Sequence, residues 1–418
     1  MEPSPIARFG VCAVCAGALL TSCGGNAGVG VSANVAIRDR EPNPLSYRVL
    51  HSFGADHDGQ APNDLISVGD KFYGTTQLGG INHCTTNDGG CGTVFSITAD
   101  GKEQVLHNFG NRTDGNDPVA GLIEVDGTLY GATTLGGAHG YGTVFSITRG
   151  GREKVLYSFG AKPDGAYPNG DLIDMGGTLY GTATGGGNGC GFEGCGMVFS
   201  IATNGRERVL HYFDNINGSD GWYPDGGLVD VGGTFYGTTY QGGYYGWGTF
   251  FSITRGGMEK VLHNFGKGND GWYPSATLID VEGTLYGTTM GGGTGPCGRG
   301  YGGCGTVFSI TTAGKERLLH SFNRIDGSYP EASLIDVGGA LYGTTRDGGG
   351  NQCSPSYGSC GTVFSLTRGG DEEVLQRFRR GNDGWYPLVR LTYKSGSFFG
   401  TTRFGGRHNG GVVFALRP

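Results

Sequence analysis

The chain is poor in charge: Asp, Glu, Lys and Arg make up 16% of its 418 residues, well below the usual quarter. No apolar run reaches the ~18 residues that a membrane-spanning helix needs. Nowhere do apolar residues hold the three-to-four spacing of an amphipathic helix, and glycine recurs too often for one to persist. The sequence has no Gly-x-Ser-x-Gly elbow, phosphate loop, His-Glu-x-x-His pair or dinucleotide fingerprint. A net charge of −7 offers nothing to nucleic acid. These absences exclude a helical fold, a polyanion-binding role and the enzyme classes recognisable by short motifs; no cofactor and no metal site is expected. What abounds is glycine, 88 residues, beside 22 Phe and 21 Tyr. Together they argue for a packed chain of many turns.

Residues 1–22 read as an export signal, with Arg8 ahead of a short apolar stretch from Phe9 to Leu20. It ends in Leu20-Thr21-Ser22-Cys23, which resembles the lipobox of bacterial lipoproteins. That resemblance implies cleavage before Cys23 and lipid on its thiol and new amino group. The rival reading is an ordinary secretory peptide with Cys23 unmodified. Gly24, where an Asp commonly retains lipoproteins at the inner membrane, favours the outer membrane or cell surface. Residues 23–46 then form the lipidated cysteine and a tether.

Cys12 and Cys15 leave with the signal, and the eight cysteines after Cys23 fall into near neighbours: Cys84/Cys91, Cys190/Cys195, Cys297/Cys304 and Cys353/Cys360. An even count in an oxidising compartment reads as disulfides. The second member of each pair directly precedes the glycine of a Gly-Thr-Val-Phe or similar strand start, and only the longer loops carry pairs. A metal site is the competing reading, but each pair stands without a spaced histidine.

From Val49 onward the chain repeats itself seven times, the copies beginning at Val49, Val105, Val155, Val209, Val261, Leu318 and Val374. Each holds four short apolar runs bounded by Gly-rich turns, as in Val261–Phe265, Leu278–Val281, Thr284–Thr289 and Thr306–Thr311. Four strands per unit at this period predict an all-β, seven-bladed β-propeller over residues 47–418. The lone Tyr47–Phe53 strand is expected to complete the last blade beside Val412–Leu416 and close the ring.

The recurring Leu-Tyr-Gly-Thr-Thr-x-x-Gly-Gly and Gly-Thr-Val-Phe-Ser-Ile segments resemble the GloVer tandem repeat of bacterial surface proteins that carry varied anchors. The Gly pair is also loosely similar to that of kelch-type propellers, which place it directly after the strand. The resemblance implies export and surface anchoring, and brings no catalytic residue with it.

Strands a to d are assigned in order to Leu-Ile-Asp-Val, Thr-Leu-Tyr-Gly-Thr-Thr, Gly-Thr-Val-Phe-Ser-Ile and Val-Leu-His-x-Phe. The b–c loops and the d–a crossovers then share one face, which holds every cysteine pair and all four tryptophans. Trp222-Tyr223, Trp272-Tyr273 and Trp385-Tyr386 occupy one crossover position, and Trp247 lies in a b–c loop. Exposed flat rings suit stacking on sugars or anchoring a protein; repetition also suits a wedge between blades. The crossover acids Asp58, Asp114, Asp164, Asp220, Asp270, Asp326 and Asp383 read as Asp-Gly turns before any calcium site. Asp174, Asp230, Asp280 and Asp336, with Glu124, are expected to alternate toward channel water. The repeated histidines at 51, 107, 211, 263 and 320 read as scaffold. Repeat-breaking residues, where an enzyme would keep its chemistry, are Glu193, Arg299, Arg346, Asp347, Arg390 and Arg403. The expected function is a lipid-anchored envelope propeller that binds a carbohydrate or an envelope protein through this face. A propeller hydrolase or lyase acting on surface polysaccharide is the alternative.

Overall fold

In the computed structural model, residues 45–418 are described apart from 56, 85–88, 112, 161–162, 188, 191–193, 215–219, 298–301 and 351–359. The expected signal, Cys23 and the tether up to residue 44 therefore lie outside the described residues, as do Cys353, Glu193 and Arg299.

Seven antiparallel sheets form the ring, and each runs a-b-c-d from the inside out. Blade 4 is representative, with strands Val229–Val231, Thr234–Thr239, Thr249–Thr254 and Glu259–Asn264. The last blade takes its outer strand from the start of the chain. Ser46–Ser52 pairs antiparallel with Val412–Arg417, which continues into Ser397–Thr402 and Thr392–Lys394. This is the closure expected from the sequence, and it leaves the last blade with the same four strands as the rest.

The repeated motif follows from packing between blades. The glycine of strand b lies opposite the phenylalanine of strand c, as with Gly287 and Phe308. That ring covers the glycine so closely that an added Cβ would lie 2.7 Å from the Phe308 ring and 2.5 Å from Leu278. Each strand-c phenylalanine also meets, edge to face, the phenylalanine that ends strand d of the preceding blade. The seven contacts span only 5.0–5.3 Å, from Phe53–Phe95 round to Phe378–Phe414. The hydrophobic clusters accordingly lie between blades: one joins Ala132 and Val144 to Leu179, Phe199 and Ile201 of the next sheet. The Thr pairs have a polar task. Thr239 and Thr249 hydroxyls, both buried, lie 2.8 Å apart and tie the end of strand b to the start of strand c.

Candidate binding face

The chain after each Asp-Gly turn runs inward beside the segment that follows strand b. Trp222 pairs with Gln241, Ser328 with Asp347 and Trp385 with Phe404. Crossovers and b–c loops therefore share one face. The next residue in each blade (Ala61, Asp117, Tyr167, Tyr223, Tyr273, Tyr329 and Tyr386) has a positive φ of 54–70°, uncommon for a bulky side chain. The bend is held from both sides. Each of these N–H groups donates to the residue preceding strand c of the preceding blade, at 2.7–3.1 Å. The following proline lies against that blade's glycine, where an added Cβ would come within 2.4–2.8 Å of Pro Cδ. In four seams the accepting carbonyl belongs to a cysteine: Cys91, Cys195, Cys304 and Cys360.

Disulfides join Cys84 to Cys91, Cys190 to Cys195 and Cys297 to Cys304. Cys360 is also disulfide-bonded; Cys353, its expected partner, lies outside the described residues. Each staple thus fixes a carbonyl that the neighbouring blade binds. Such disulfides belong to an oxidising, extracytoplasmic environment.

The aromatic residues divide by place. Trp222 packs by Cys190 and Cys195 and donates its Nε1–H to Gln241 Oε1 at 2.7 Å. Trp247 and Trp272 stack on each other at 4.6 Å, with Tyr273 edge-on to Trp247. Tyr223 lies edge-on to Trp222. Trp385 and Tyr386 border an open cavity, of about 500 Å³, with Phe404, Arg403, Leu388 and Glu331. Trp385 lies 4.7 Å from Phe404, and the Arg403 guanidinium 5.8 Å from the same ring. Beside them Arg346 forms ion pairs with Glu331 and Asp347 and lies over Tyr329 and Tyr386, 4.7 and 5.4 Å from their centroids.

Glu331, Leu388 and Arg403 also border a second cavity, of about 220 Å³, to which all seven blades contribute. Its position follows from the chain: apart from Gln77 and Arg403 at the ends of two strands b, the lining residues stand between each crossover proline and the innermost strand. Directly after proline come Asn63, Val119, Asn169, Asp225, Ser275, Glu331 and Leu388. Nearer strand a come Asp64, Asp171 and Arg390. The Arg390 backbone N–H donates to Asp64 Oδ1 at 2.9 Å, and its Nε lies 3.7 Å from Oδ2. Gly121 N–H donates to Asp171 at 2.8 Å, and the Asn169 amide donates to Asp225. Burial, reinforced by Asp171 and opposed by Arg390, raises the Asp64 carboxyl to about 7. Burial also raises Asp225 to about 6 and Glu331 to about 7, with Arg346 opposing the latter. The axis thus gathers acids that hold protons near neutrality, two arginines and several amides.

Arg390 and Arg403, singled out as repeat-breaking, belong to this cavity; Asp64, Asp171, Asp225 and Glu331 went unnoticed in the sequence. Their signal was available, because the position after proline changes from blade to blade while its surroundings repeat. Among the strand-a acids, Glu124, Asp174, Asp230 and Asp280 each accept an N–H from the glycine of their own a–b turn. Asp336 receives Arg368. None of the five lines this cavity. The repeated histidines pair with the crossover acids, His51 with Asp58, His107 with Asp114 and His263 with Asp270, all at 3.0 Å.

Among curated proteins, none matches this chain. Several solved structures are similar in fold. One is described as a putative 6-phosphogluconolactonase from Bacteroides uniformis, at 12% identity and TM-score 0.48, covering 80% of this chain and 90% of that one. Another is a gluconolactonase from Xanthomonas campestris, at 12% identity and TM-score 0.41, covering 89% of both chains. A puromycin-hydrolysing peptidase from Mycobacterium tuberculosis matches at 12% identity and TM-score 0.48, over 87% of this chain and 53% of that one. The model of the Gloeobacter/Verrucomicrobia repeat matches residues 20–192, 188–353 and 298–418, and the chain belongs to that family.

Proposed function

We propose that the ring is a binding module of the cell envelope, anchored through lipid at Cys23, that recognises carbohydrate on its crossover face. The observation that carries this reading is the run of two cavities joined by Glu331, Leu388 and Arg403. One offers carboxyls, amides and guanidinium groups; the other offers the faces of Trp385, Tyr386 and Phe404. Sugar recognition needs both: dense hydrogen bonding for hydroxyls and a flat apolar wall for the ring. Trp222, Tyr223, Trp247, Trp272 and Tyr273 form a second aromatic group on the same face, at blades 4 and 5.

The test is retention of the purified chain on a panel of immobilised envelope polysaccharides. Trp385→Ala and Arg403→Gln are expected to weaken retention on the same glycan by tenfold or more, with the thermal transition of Arg403→Gln unchanged. Retention unaffected by either variant would remove this groove as the site.

The hydrolase or lyase reading has one specific support: Asp225 and Glu331 hold their carboxyls near neutrality at the cavity mouth, the condition for general acid work. Polysaccharide turnover that Glu331→Gln abolishes would favour it.

A further inference from the structure

Six of the seven seams between blades repeat one polar trio; in the closing seam Tyr47 stands in place of the glutamate. A residue of strand d, usually histidine, meets the crossover aspartate and the glutamate that opens strand d of the next blade. In most seams the first two stand seven positions apart, as with His107 and Asp114. Two seams break that spacing: His211 precedes Asp220 by nine, and His320 precedes Asp326 by six. Their imidazole–carboxylate distances are 3.2 and 3.3 Å, against 3.0 Å in the three regular histidine seams.

Among the described residues, these two trios alone place a histidine nitrogen and two carboxylate oxygens within 4.8 Å of one another: His211, Asp220 and Glu259; His320, Asp326 and Glu372. Glu259 Oε1 and Glu372 Oε1 are buried and receive no donor, like the equivalent oxygens of Glu103, Glu153, Glu207 and Glu316; what sets these two trios apart is the convergence of all three donors. The histidines and aspartates are only 13–22% exposed. Two carboxylate oxygens and an imidazole nitrogen converging this closely form a cluster that a shared cation can bridge.

We propose that these two seams each bind one divalent cation of the zinc class, which clamps blade 3 to blade 4 and blade 5 to blade 6. One imidazole nitrogen and two carboxylate oxygens are a donor set for such an ion, leaving a place for water. Calcium asks for six to eight oxygens and fits three mixed donors poorly. Changed crossover lengths bring the donors together in these two seams, while the regular seams keep a plain His–Asp hydrogen bond. The clamp is independent of the carbohydrate reading, because it lies at the outer strands and uses no residue of the axial cavity.

The experiment is titration of the chelator-treated full chain with Zn²⁺ and with Co²⁺, read by calorimetry and by the visible Co²⁺ spectrum. Two ions per chain are expected, with a higher melting temperature. His211→Gln and His320→Gln are each expected to remove one ion. Glutamine is tolerated there, since Gln376 holds the equivalent place in blade 6. His263→Gln, in a regular seam, is expected to leave both ions bound. No saturable binding at micromolar metal, or two ions still bound after both His→Gln changes, would overturn the proposal.

Discussion

The mouth of the axis and the body of the seams are built by the same seven repeats, yet they differ in kind. At the mouth, the position after proline passes through Asn, Val, Asn, Asp, Ser, Glu and Leu. In the seams, seven phenylalanine pairs keep their interplanar angles within 62–68°. Packing density explains the uniformity, since every seam must fill the same volume between sheets of the same twist. The mouth has room, and its side chains face a cavity instead of a fixed neighbour. Variation there carries little cost in stability, so it is where recognition can be written.

The strongest way to break this contrast is to open a seam completely. Removing residues 45–53 takes the outer strand from the last blade and Phe53 from its contact with Phe95. The truncated chain is expected to lose its cooperative unfolding transition and to self-associate through the bared edge of Val412–Arg417. Calorimetry and light scattering read both. A truncated ring that melts like the intact one would show that closure adds little.

A single methyl group is the next test. Gly287→Ala drives a Cβ against the Phe308 ring and Leu278, and overpacking of this kind costs about 1–3 kcal/mol. Denaturant unfolding should show that loss. Ser275→Ala, at the mouth of the same blade, should stay within ~0.5 kcal/mol of the parent.

The smallest effect sharpens the comparison through pH. Glu103, Glu153 and Glu316 lie in regular seams, and burial first of all raises their carboxyls to about 7. Asp58, Asp114 and Asp270 add to the rise, and His51, His107 and His263 oppose it. The folded ring therefore keeps protons that the unfolded chain has released above roughly pH 4.3. Their contribution is complete below that value and is lost as pH climbs through about 7. Denaturation midpoints should fall between pH 5 and 8, and the triple Glu→Gln variant should flatten the decline. An unchanged slope in that variant would place the pH sensitivity elsewhere.

The seams were legible in the sequence because repetition reports whatever every blade needs. The strand-b glycine, the strand-c phenylalanine and the closing Tyr47–Phe53 segment could each be read from recurrence and from the unmatched strands at the two ends. The cysteine pairs were legible too, since loop length and parity mark them. The mouth was not. Asp225 and Glu331 gain their meaning from neighbours about 50 and more positions away, and a short motif cannot express that. Arg390 and Arg403 were visible as departures from the repeat, but their link to Asp64 and Phe404 needs the circle to be drawn. Trp-Tyr-Pro was read for its side chains alone; the backbone bend that all seven blades share at this place is seen only in the fold.

The hydrogen bond from the Tyr47 hydroxyl to the Asp383 carbonyl spans 336 positions of chain. Contacts of such separation slow the search for the native state. Synthesis from the N-terminus presents the first strand long before its partner exists, so that strand has to wait unpaired. Each molecule consequently passes through a period as an incomplete arc, when a chaperone or holding factor would find it most exposed and a protease most vulnerable.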